Sequence, residues 1–339
     1  MGIVLGLLRL GVGLAAAGLG AIAVAAWFGF AVPFLDLFNH FQVLLIAGLA
    51  MLLVLVLLVF IGSPWRWPLT AILTLGLIAS AVTVVPETIA AFAPRPALPT
   101  DGRPVLKLIT ANLFGLNYDM DRTAAVIAKE NPDIIALQEY FPEQRGPLDP
   151  MIRGKYPYSV HCVGGKRANI AIYSKLPFTQ DVDGDCTADW ARAGRTSHLL
   201  VTFTLANGAK LAVMTTHFEW PVPFDRLQRQ QAALTKVISG VSTPLLLVGD
   251  FNSAPWSYEQ RSFAEAAGLT RQTHGILTWP LLLSVKGWRN TFPVLPLDQA
   301  MTKGNVEVHD IHAGPPTGSD HLPLVMTISV GKGPEPVAP

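Results

Sequence analysis

The sequence has little cysteine and little charge, and both shortages limit what the protein can be. Only two cysteines, Cys162 and Cys186, occur in 339 residues. They are too few for a disulfide scaffold, and they form no CxxC pair of the kind that binds zinc or performs thiol redox chemistry. Charged residues make up 14% of the chain, below the ~25% of an average soluble protein. Some part of the chain must therefore be unusually apolar.

The shortage of charge is confined to the first 92 residues, which contain only Arg9, Asp36, Arg66 and Glu87 as charged residues. The rest of the chain carries all but two of the 25 basic and all but two of the 24 acidic residues, so it is nearly neutral. Proteins that hold nucleic acid without regard to sequence usually carry a clustered basic face. The charge balance therefore argues against a bulk DNA-binding protein.

Three apolar stretches in this first region are long enough to cross a membrane: Ile3 to Val32, Phe41 to Ile61, and Pro68 to Ile89. Each can span ~30 Å of hydrocarbon as a helix of ~20 residues. A cleaved signal peptide is the alternative for the first stretch, but its apolar region exceeds the usual ~7 to 15 residues and two more stretches follow. A soluble helical core is disfavoured because these helices have no polar face for water. We predict three transmembrane helices.

The few basic residues near these helices predict an orientation. Arg9 lies near the amino end and Arg66 in the second loop, whereas the first loop has no Lys or Arg. By the positive-inside rule, the amino terminus and the second loop then lie in the cytoplasm. Arg95, Arg103 and Lys107, which follow the third helix, favour the opposite orientation. We expect a protein of the bacterial inner membrane or plasma membrane, with its C-terminal domain outside the cytoplasm.

This orientation bears on the two cysteines. In an oxidising compartment Cys162 and Cys186 could pair across neighbouring strands, whereas in a reducing one they would be two inert buried thiols. Both alternatives stay open from the sequence.

The sequence predicts four segments: a membrane domain at 1–92, a Pro-rich linker at 93–104, a catalytic domain at 105–330 and a disordered tail at 331–339. Apolar runs alternate with amphipathic ones in the third segment, which is typical of a layered α/β domain. The expected strands are 105–113, 133–139, 210–219 and 244–252, with a helix capped by Asp121 that extends to about Glu130 and a helix at 225–239.

Five polar clusters follow apolar runs of this domain. Because strand ends meet at one edge of a sheet, their side chains can assemble a site from distant parts of the chain. The clusters are Thr110-Ala111-Asn112, Leu137-Gln138-Glu139, Thr215-Thr216-His217, Gly249-Asp250-Phe251-Asn252 and Ser319-Asp320-His321-Leu322-Pro323.

In this order and spacing, the five clusters resemble the motifs of the endonuclease/exonuclease/phosphatase superfamily over about residues 105–330. The resemblance implies a four-layered α/β sandwich, in which two mixed β-sheets are flanked by helices, here preceded by three transmembrane helices. It also implies a metal-dependent phosphohydrolase. Upstream, the hydropathy is similar to that of the membrane-anchored, VanJ-like subgroup.

The resemblance also implies a metal site. Glu139 matches the principal Mg²⁺ ligand, with Asn112 and Asp320 beside it, and Mn²⁺ could replace Mg²⁺. These ligands suit the ion, because Mg²⁺ prefers hard oxygen donors and keeps several waters.

Catalytic and substrate-binding residues are implied in the same way. Asp250 and Asn252 match the pair that orients or deprotonates the attacking water and holds the phosphoryl group. His321 matches the essential histidine and Asp298 its carboxylate partner, which would fix the tautomer and favour the imidazolium. Two further residues, His217 and Asn169, match positions that contact phosphate.

A departure from the family pattern narrows the choice of substrate, and the aromatic segments together with the three membrane helices favour a lipid-linked phosphate. Phe114 stands where apurinic endonucleases carry an acid, which puts a repair endonuclease in doubt. The aromatic segments 218–224 and 278–288 either fill the core or form an apolar rim that meets lipid. A nuclease acting on nucleic acid is the alternative enzyme, and a noncatalytic binding module is disfavoured because the motif positions are complete. We predict no obligate protein partner.

Overall fold

The computed structural model describes residues 2–162, 167–180, 196–281, 284–285, 288–289 and 292–331, with backbone only at 284–285 and 288–289. The chain divides into two units, Met1–Phe92 with Ala254–Arg261, and Ala93–Ser253 with Ser262–Pro339. The sequence did not indicate that residues 254–261 group with the first region. The predicted tail lies, from residue 332 onward, outside the described residues.

The first unit is helical. Its elements are α1 (Gly2–Ala26), a short 3₁₀ helix (Trp27–Phe30), α2 (Pro33–Asn39), α3 (Gln42–Val59) and α4 (Arg66–Ala91). Three stretches, Gly2–Phe30, Gln42–Val59 and Arg66–Ala91, are long and apolar enough to cross a membrane. The helices approach closely at Gly20, where an added Cβ would lie 2.9 Å from Ile72 Cγ1. Small residues permit such close packing between apolar helices.

Two local expectations for this unit are wrong. The first predicted turn contains α2, which starts with Pro33 at a position where the missing N–H costs nothing. Arg66, expected in the second loop, is the first residue of α4, and this helix continues through Pro86 to Ala91. Membrane helices tolerate internal proline because neighbouring groups satisfy the freed carbonyl.

The second unit is built on two six-stranded mixed sheets. The strands are β1 (Val105–Asn112), β2 (Ile134–Gln138), β3 (Tyr158–His161), β4 (Ala171–Ser174), β5 (Phe178–Gln180), β6 (His198–Thr204), β7 (Lys210–His217), β8 (Leu245–Asp250), β9 (Thr270–Arg271), β12 (Asp298–Lys303), β13 (Val306–Ala313) and β14 (Leu324–Val330). In the first sheet the order is β13-β14-β1-β2-β4-β3, and in the second β5-β6-β7-β8-β12-β9. Each sheet has one parallel pair, β1 with β2 and β7 with β8.

Four layers result from alternating side chains along these strands. Leu108 and Leu246 join the core between the two sheets, whereas the next residues, Ile109 and Leu247, face the helices. Helices α5 (Met120–Glu130) and α6 (Pro142–Arg153) cover the first sheet, and α7 (Phe224–Ser239) and α8 (Tyr258–Ala266) contribute to the second helical layer. The predicted four-layered α/β sandwich is confirmed.

The N-cap of α5 differs from expectation by two residues. Asp119 occupies the N-cap, where its side chain accepts a hydrogen bond from the Arg122 N–H at 3.1 Å. Asp121, the predicted cap, lies in the first turn. Both residues are Asp, so residue type alone did not distinguish them; Asp119 has the nonhelical backbone of a cap, with φ −85° and ψ 68°.

The aromatic segment at 278–288 is only partly described. Two short strands that begin within it, β10 (Ser284–Val285) and β11 (Trp288–Arg289), pair in antiparallel fashion. Cys162 is buried and disulfide-bonded, and Cys186, the partner that the sequence offers, lies outside the described residues.

Candidate active site

The site residues lie where strands of both sheets end. Asn112 and Gln138 are paired neighbours at the ends of β1 and β2, and Glu139 follows directly. In the second sheet, His217 pairs with Asp250, which in turn pairs with Asp298 on β12. The sheets face each other, so residues far apart in sequence meet at one rim, such as Asn112 and Asp250, which are 138 positions apart.

The backbone at this rim is strained. Phe114, Glu139 and Asn252 have positive φ angles of 58°, 50° and 48°. Non-glycine residues rarely adopt this region, and each instance costs about 1–3 kcal/mol. Such strain is retained where the surrounding structure requires a particular side-chain direction, and all three residues line the same cleft.

Asp250 is the centre of the site. The Asn112 Nδ2–H donates to its Oδ2 at 2.8 Å, and the Asn252 backbone N–H donates to its Oδ1 at 2.8 Å. Burial opposes ionisation of Asp250, but the nearby His321 and His217 outweigh it and hold the pKa of Asp250 below its ordinary value. Asp250 is therefore a carboxylate with a fixed orientation.

Asp298 and His321 form a buried pair. His321 Nδ1 lies 2.7 Å from Asp298 Oδ2, and the Asp298 backbone is positioned by Thr278 Oγ1. Burial alone would lower the pKa of His321, but the charges of Asp298 and then Asp250 outweigh it and raise the pKa to about 10. His321 is thus an imidazolium at neutral pH, with its Nε2 3.8 Å from Asp250 Oδ2.

His217 is surrounded by N–H donors. Arg167 Nη1 lies 2.6 Å and Asn252 Nδ2 3.2 Å from His217 Nε2. Arg167 is 2% exposed and also lies 3.7 Å from Glu139 Oε1 and 3.6 Å from Glu219 Oε2. Its Nε and Nη2 have no hydrogen-bond partner among the described residues. Arg167 therefore has donors left for an anion.

Glu139 and Asp320 provide oxygen atoms that suit a divalent cation. The Gly115 N–H donates to Glu139 Oε2 at 2.7 Å, which fixes that carboxylate. Asp320 Oδ1 is buried without a hydrogen-bond partner among the described residues. Burial raises the pKa of Asp320 although His321 counteracts it, and the charges of Glu139 and Asp250 add to the increase. A hard divalent cation would relieve this excess of negative charge, so the residues fit such an ion.

A second cluster of side chains also has the spacing of metal ligands. Single ligand atoms of Asp250, Asp298 and His321 lie within 4.8 Å of one another. The close contact between His321 Nδ1 and Asp298 Oδ2 already accounts for two of these residues, and a protonated imidazole cannot bind a metal. We therefore interpret the cluster as a catalytic pair beside a carboxylate.

The cleft has a volume of about 510 Å³ and an apolar wall. Phe114, Leu116, Phe141, Trp220 and Trp279 line it beside the polar residues. Leu116 is 69% and Trp220 42% exposed. The rings of Trp220 and Trp279 contact edge to face, with centroids 5.7 Å apart. An anionic centre is thus bordered by partly exposed apolar side chains.

The structure brings together eight of the nine residues that the sequence nominated. The ninth, Asn169, is buried and its carbonyl accepts the Tyr140 N–H at 2.8 Å; its contact with phosphate stays a prediction. The Asn112 side chain donates a hydrogen bond to Asp250 and accepts one from the Phe114 N–H, so it positions Asp250. Its role as a metal ligand stays a prediction.

Two cleft residues whose side chains contact predicted site residues, Arg167 and Trp279, were missed by the sequence interpretation. Arg167 precedes β4 and has no motif around it that distinguishes it from a surface arginine. Trp279 was assigned only to an apolar segment, yet its Nε1–H donates to Asp320 Oδ2 at 3.1 Å. The proline after Trp279 was the one local sign of a fixed turn there.

The fold and this site define a metal-dependent hydrolase of phosphoester bonds. The chain matches the Endonuclease/Exonuclease/phosphatase family over residues 109–321, which is more than half of its length, and it belongs to that family. The matched range includes all nine predicted site residues. A comparison with curated proteins finds no match.

Solved structures share the fold at low identity. An endonuclease/exonuclease/phosphatase from Beutenbergia cavernae is 20% identical, with a TM-score of 0.52, covering 70% of this chain and 74% of that one. TDP2 from D. rerio, solved with a single-strand DNA product, is 17% identical, with a TM-score of 0.54 and coverage of 67% and 99%. A family protein from Bacteroides thetaiotaomicron is 15% identical, with a TM-score of 0.53 and coverage of 68% and 96%.

Proposed function

We propose that this protein is a membrane-anchored, Mg²⁺-dependent hydrolase of lipid-linked phosphate esters, with the architecture of the VanJ-like subgroup. The observation that carries the proposal is the apolar wall of the cleft. Leu116 and Trp220 are partly exposed directly beside the carboxylates and histidines. A substrate with a phosphate next to an apolar chain matches both parts of this cleft.

Glu139 and Asp320, with Asn112 nearby, would hold the metal. When bound, the ion would neutralise charge on the phosphoryl oxygens and help to orient an attacking water. Asn112 keeps Asp250 in place by its 2.8 Å hydrogen bond, so the metal side and the water side of the cleft are linked.

The remaining residues would act on the water and on the phosphoryl group. Asp250, ionised and fixed by Asn252, is placed to accept a hydrogen bond from the attacking water. His321 presents an N–H from its Nε2 toward the cleft and stabilises negative charge that develops on phosphoryl oxygens. Arg167 and His217 supply further contacts on the opposite side, next to Glu139.

Two observations support placement of the catalytic domain outside the cytoplasm. The Arg9 Nε–H donates to the Val59 carbonyl at 2.9 Å, and Nη2 to the Ile61 carbonyl at 3.3 Å, so Arg9 lies at the same helix ends as the loop before Arg66. The two basic residues of the first 92, Arg9 and Arg66, thus lie at one end of the three helices, which favours a cytoplasmic location of that end, whereas Arg95, Arg103 and Lys107 after the third helix oppose it. In addition, the disulfide at Cys162 is typical of an oxidising compartment.

The test is a comparison of three substrates with the purified full chain in detergent and Mg²⁺. We expect turnover of a lipid phosphodiester or a polyprenyl pyrophosphate, with duplex DNA cleaved far more slowly. Rapid DNA cleavage with both lipids intact would instead establish the nuclease alternative.

Glu139→Ala tests the metal assignment within the same assay. Loss of a metal ligand should lower turnover by at least ~10²-fold, because the transition-state charge is no longer neutralised. Glu265→Ala, an exposed carboxylate on α8, is the matched control. Unchanged turnover in the Glu139 variant would refute the site.

A further inference from the structure

The helical unit contains a pocket of about 260 Å³, separate from the catalytic cleft. It lies where α1 ends, α3 begins and the second half of α4 passes, and residues 258–261 of the same unit close it. Trp27, Phe30 and Val82 form its apolar wall, whereas Gln42 and Arg261 are polar. Small-molecule pockets usually measure ~300–1,000 Å³, so this one suits a head group and not a whole lipid.

Gln42 provides a buried acceptor with a fixed direction. Asn39 Nδ2 donates to the Ala26 carbonyl at 2.9 Å and to Asp36 Oδ1 at 2.8 Å, so Asn39 Oδ1 must accept. Gln42 Nε2 donates to that oxygen at 2.6 Å. Gln42 Oε1 therefore receives no hydrogen bond from this network. Gln42 is 1% exposed, and its Oε1 has no hydrogen-bond partner among the described residues.

An unpaired buried acceptor is costly, because it has lost its hydrogen bonds to water. The carboxylate of Asp36 cannot relieve it, because a carboxylate only accepts hydrogen bonds; Asp36 accepts the backbone N–H groups of Tyr258 and Glu259 at 2.7 and 3.1 Å. Gln42 Oε1 thus calls for a donor from outside the protein, such as a hydroxyl group.

Arg261 supplies the complementary charge. It is exposed, and its Nε–H reaches the Ser257 carbonyl at 3.3 Å. Within the described part of the chain, no hydrogen bond or ion pair engages its two terminal nitrogens. A guanidinium with free N–H groups binds phosphate in a bidentate manner.

We propose that this pocket binds the head group of an anionic glycerophospholipid with hydroxyl donors, the chemistry of phosphatidylglycerol. The phosphate pairs with Arg261, a head-group hydroxyl donates to Gln42 Oε1, and the acyl chains lie along the exposed apolar side chains of Trp27 and Phe30, which are 48% and 56% exposed. This second lipid site rests on the proposed membrane anchoring and is independent of the substrate of the catalytic cleft.

The experiment is native mass spectrometry of the purified full chain in detergent, with equimolar phosphatidylglycerol, phosphatidylcholine or glycerol phosphate added. Phosphatidylcholine carries the phosphate but no head-group donor. We expect one retained phosphatidylglycerol per chain and at least ~10-fold less phosphatidylcholine. Arg261→Ala should reduce retention about 10-fold, and so should Gln42→Met, which keeps the size but removes the acceptor.

Lys129→Ala, an exposed cation on α5, is the matched control and should retain lipid like the wild type. Equal retention of both lipids, or unchanged retention in the Arg261 variant, would overturn the proposal. Tight binding of glycerol phosphate with no preference for the lipid would overturn it too, in favour of a soluble ligand. Because Arg261 is exposed, its variant should fold even where Gln42→Met does not. Failure of all lipid turnover in the substrate assay would leave these outcomes unaffected.

Discussion

The proton on His321 depends most on one neighbour, Asp298. Asp298→Asn removes the charge that contributes most to raising the pKa of His321, so the pKa should fall from about 10 toward or below its ordinary value. In the metal-free protein, NMR should show a His321 imidazolium at pH 8 in the wild type and a neutral ring in the variant. We expect turnover at neutral pH to fall by ~10² to 10⁴-fold.

The chain offers a control for this change. His312 and Asp310 form a pair at the same 2.7 Å separation on β13, but both side chains are exposed. Asp310→Asn should leave turnover unchanged, since solvent screens such a pair. Equal losses in the two variants would contradict a specific role for Asp298.

Gly249 permits the close approach of β7 and β8 under the site. Its φ is 148°, and an added Cβ would lie 2.0 Å from the Thr216 carbonyl oxygen. Gly249→Ala should therefore cost more than ~2 kcal/mol and lower the melting temperature by at least ~5 °C. Gly208→Ala, at φ 80° in open space, should cost only ~1 kcal/mol. Equal melting temperatures of the two variants would refute the steric argument.

At the scale of residues, the sequence predicted most of the polar site, because Asn112, Glu139, His217 and Asp250 each end a clear apolar run. It could not predict Arg167. That side chain acquires its role only from His217 and the two carboxylates beside it, which come from other strands and carry no local sequence signal.

At the scale of elements, the cap of α5 provides a direct test. Asp119→Ala removes the side-chain acceptor for the Arg122 N–H and should cost ~1 kcal/mol, whereas Asp119→Asn should cost little. Asp121→Ala removes only a favourable charge in the first turn, which contributes ~0.3–1 kcal/mol. The melting temperatures of the three variants test this order of stability losses. A larger loss for the Asp121 variant would restore the sequence-based assignment of the cap.

The turn after β9 should make stability depend on pH. Burial, and then the charge of Arg271, lower the pKa of His274 to about 4. Between pH 4 and 6.5 the unfolded chain thus binds more protons at this residue than the folded one does, so the free energy of unfolding rises with pH. His274→Gln should flatten this dependence in melts at pH 4.5 and 6.5. Parallel slopes for the variant and the wild type would contradict it.

The sequence predicted helices and strands correctly where the pattern of hydrophobic residues determines them. The strands β1, β7 and β8 are apolar runs whose ends are polar, and their bounds agree with expectation to within one to three residues. Helix α2 was not predicted, because Pro33 and Asn39 are as typical of a turn as of a seven-residue helix. Tertiary contacts decide such short segments.

At the scale of the whole molecule, the orientation in the membrane can be measured with reporters. Alkaline phosphatase fused after Pro339 should be active, and green fluorescent protein inserted after Ser63, in the second loop, should fluoresce. The physical reason is the cluster of Arg9 and Arg66 at one end of the helices, which resists transfer across the membrane. Fluorescence from a C-terminal fusion instead would place the catalytic domain in the cytoplasm.

The sandwich could be predicted as a whole because its motifs come in a family order, but the sequence did not show how residues 254–261 are grouped. That grouping depends on the buried carboxylate of Asp36 and the N–H groups of Tyr258 and Glu259. Partners more than 200 positions apart leave no pattern within either segment.

The hydrogen bond from Asn112 to Asp250 joins β1 of one sheet to β8 of the other, and Gln138 on β2 reaches Thr215 on β7 at 2.8 Å in the same way. The reaction centre therefore lies between two sheets, each of which is held together by its own backbone hydrogen bonds. A small displacement of one sheet relative to the other would misalign the Asp250 carboxylate, while the hydrogen bonds within each sheet stayed intact. In mild denaturant, inactivation should then precede the loss of secondary structure.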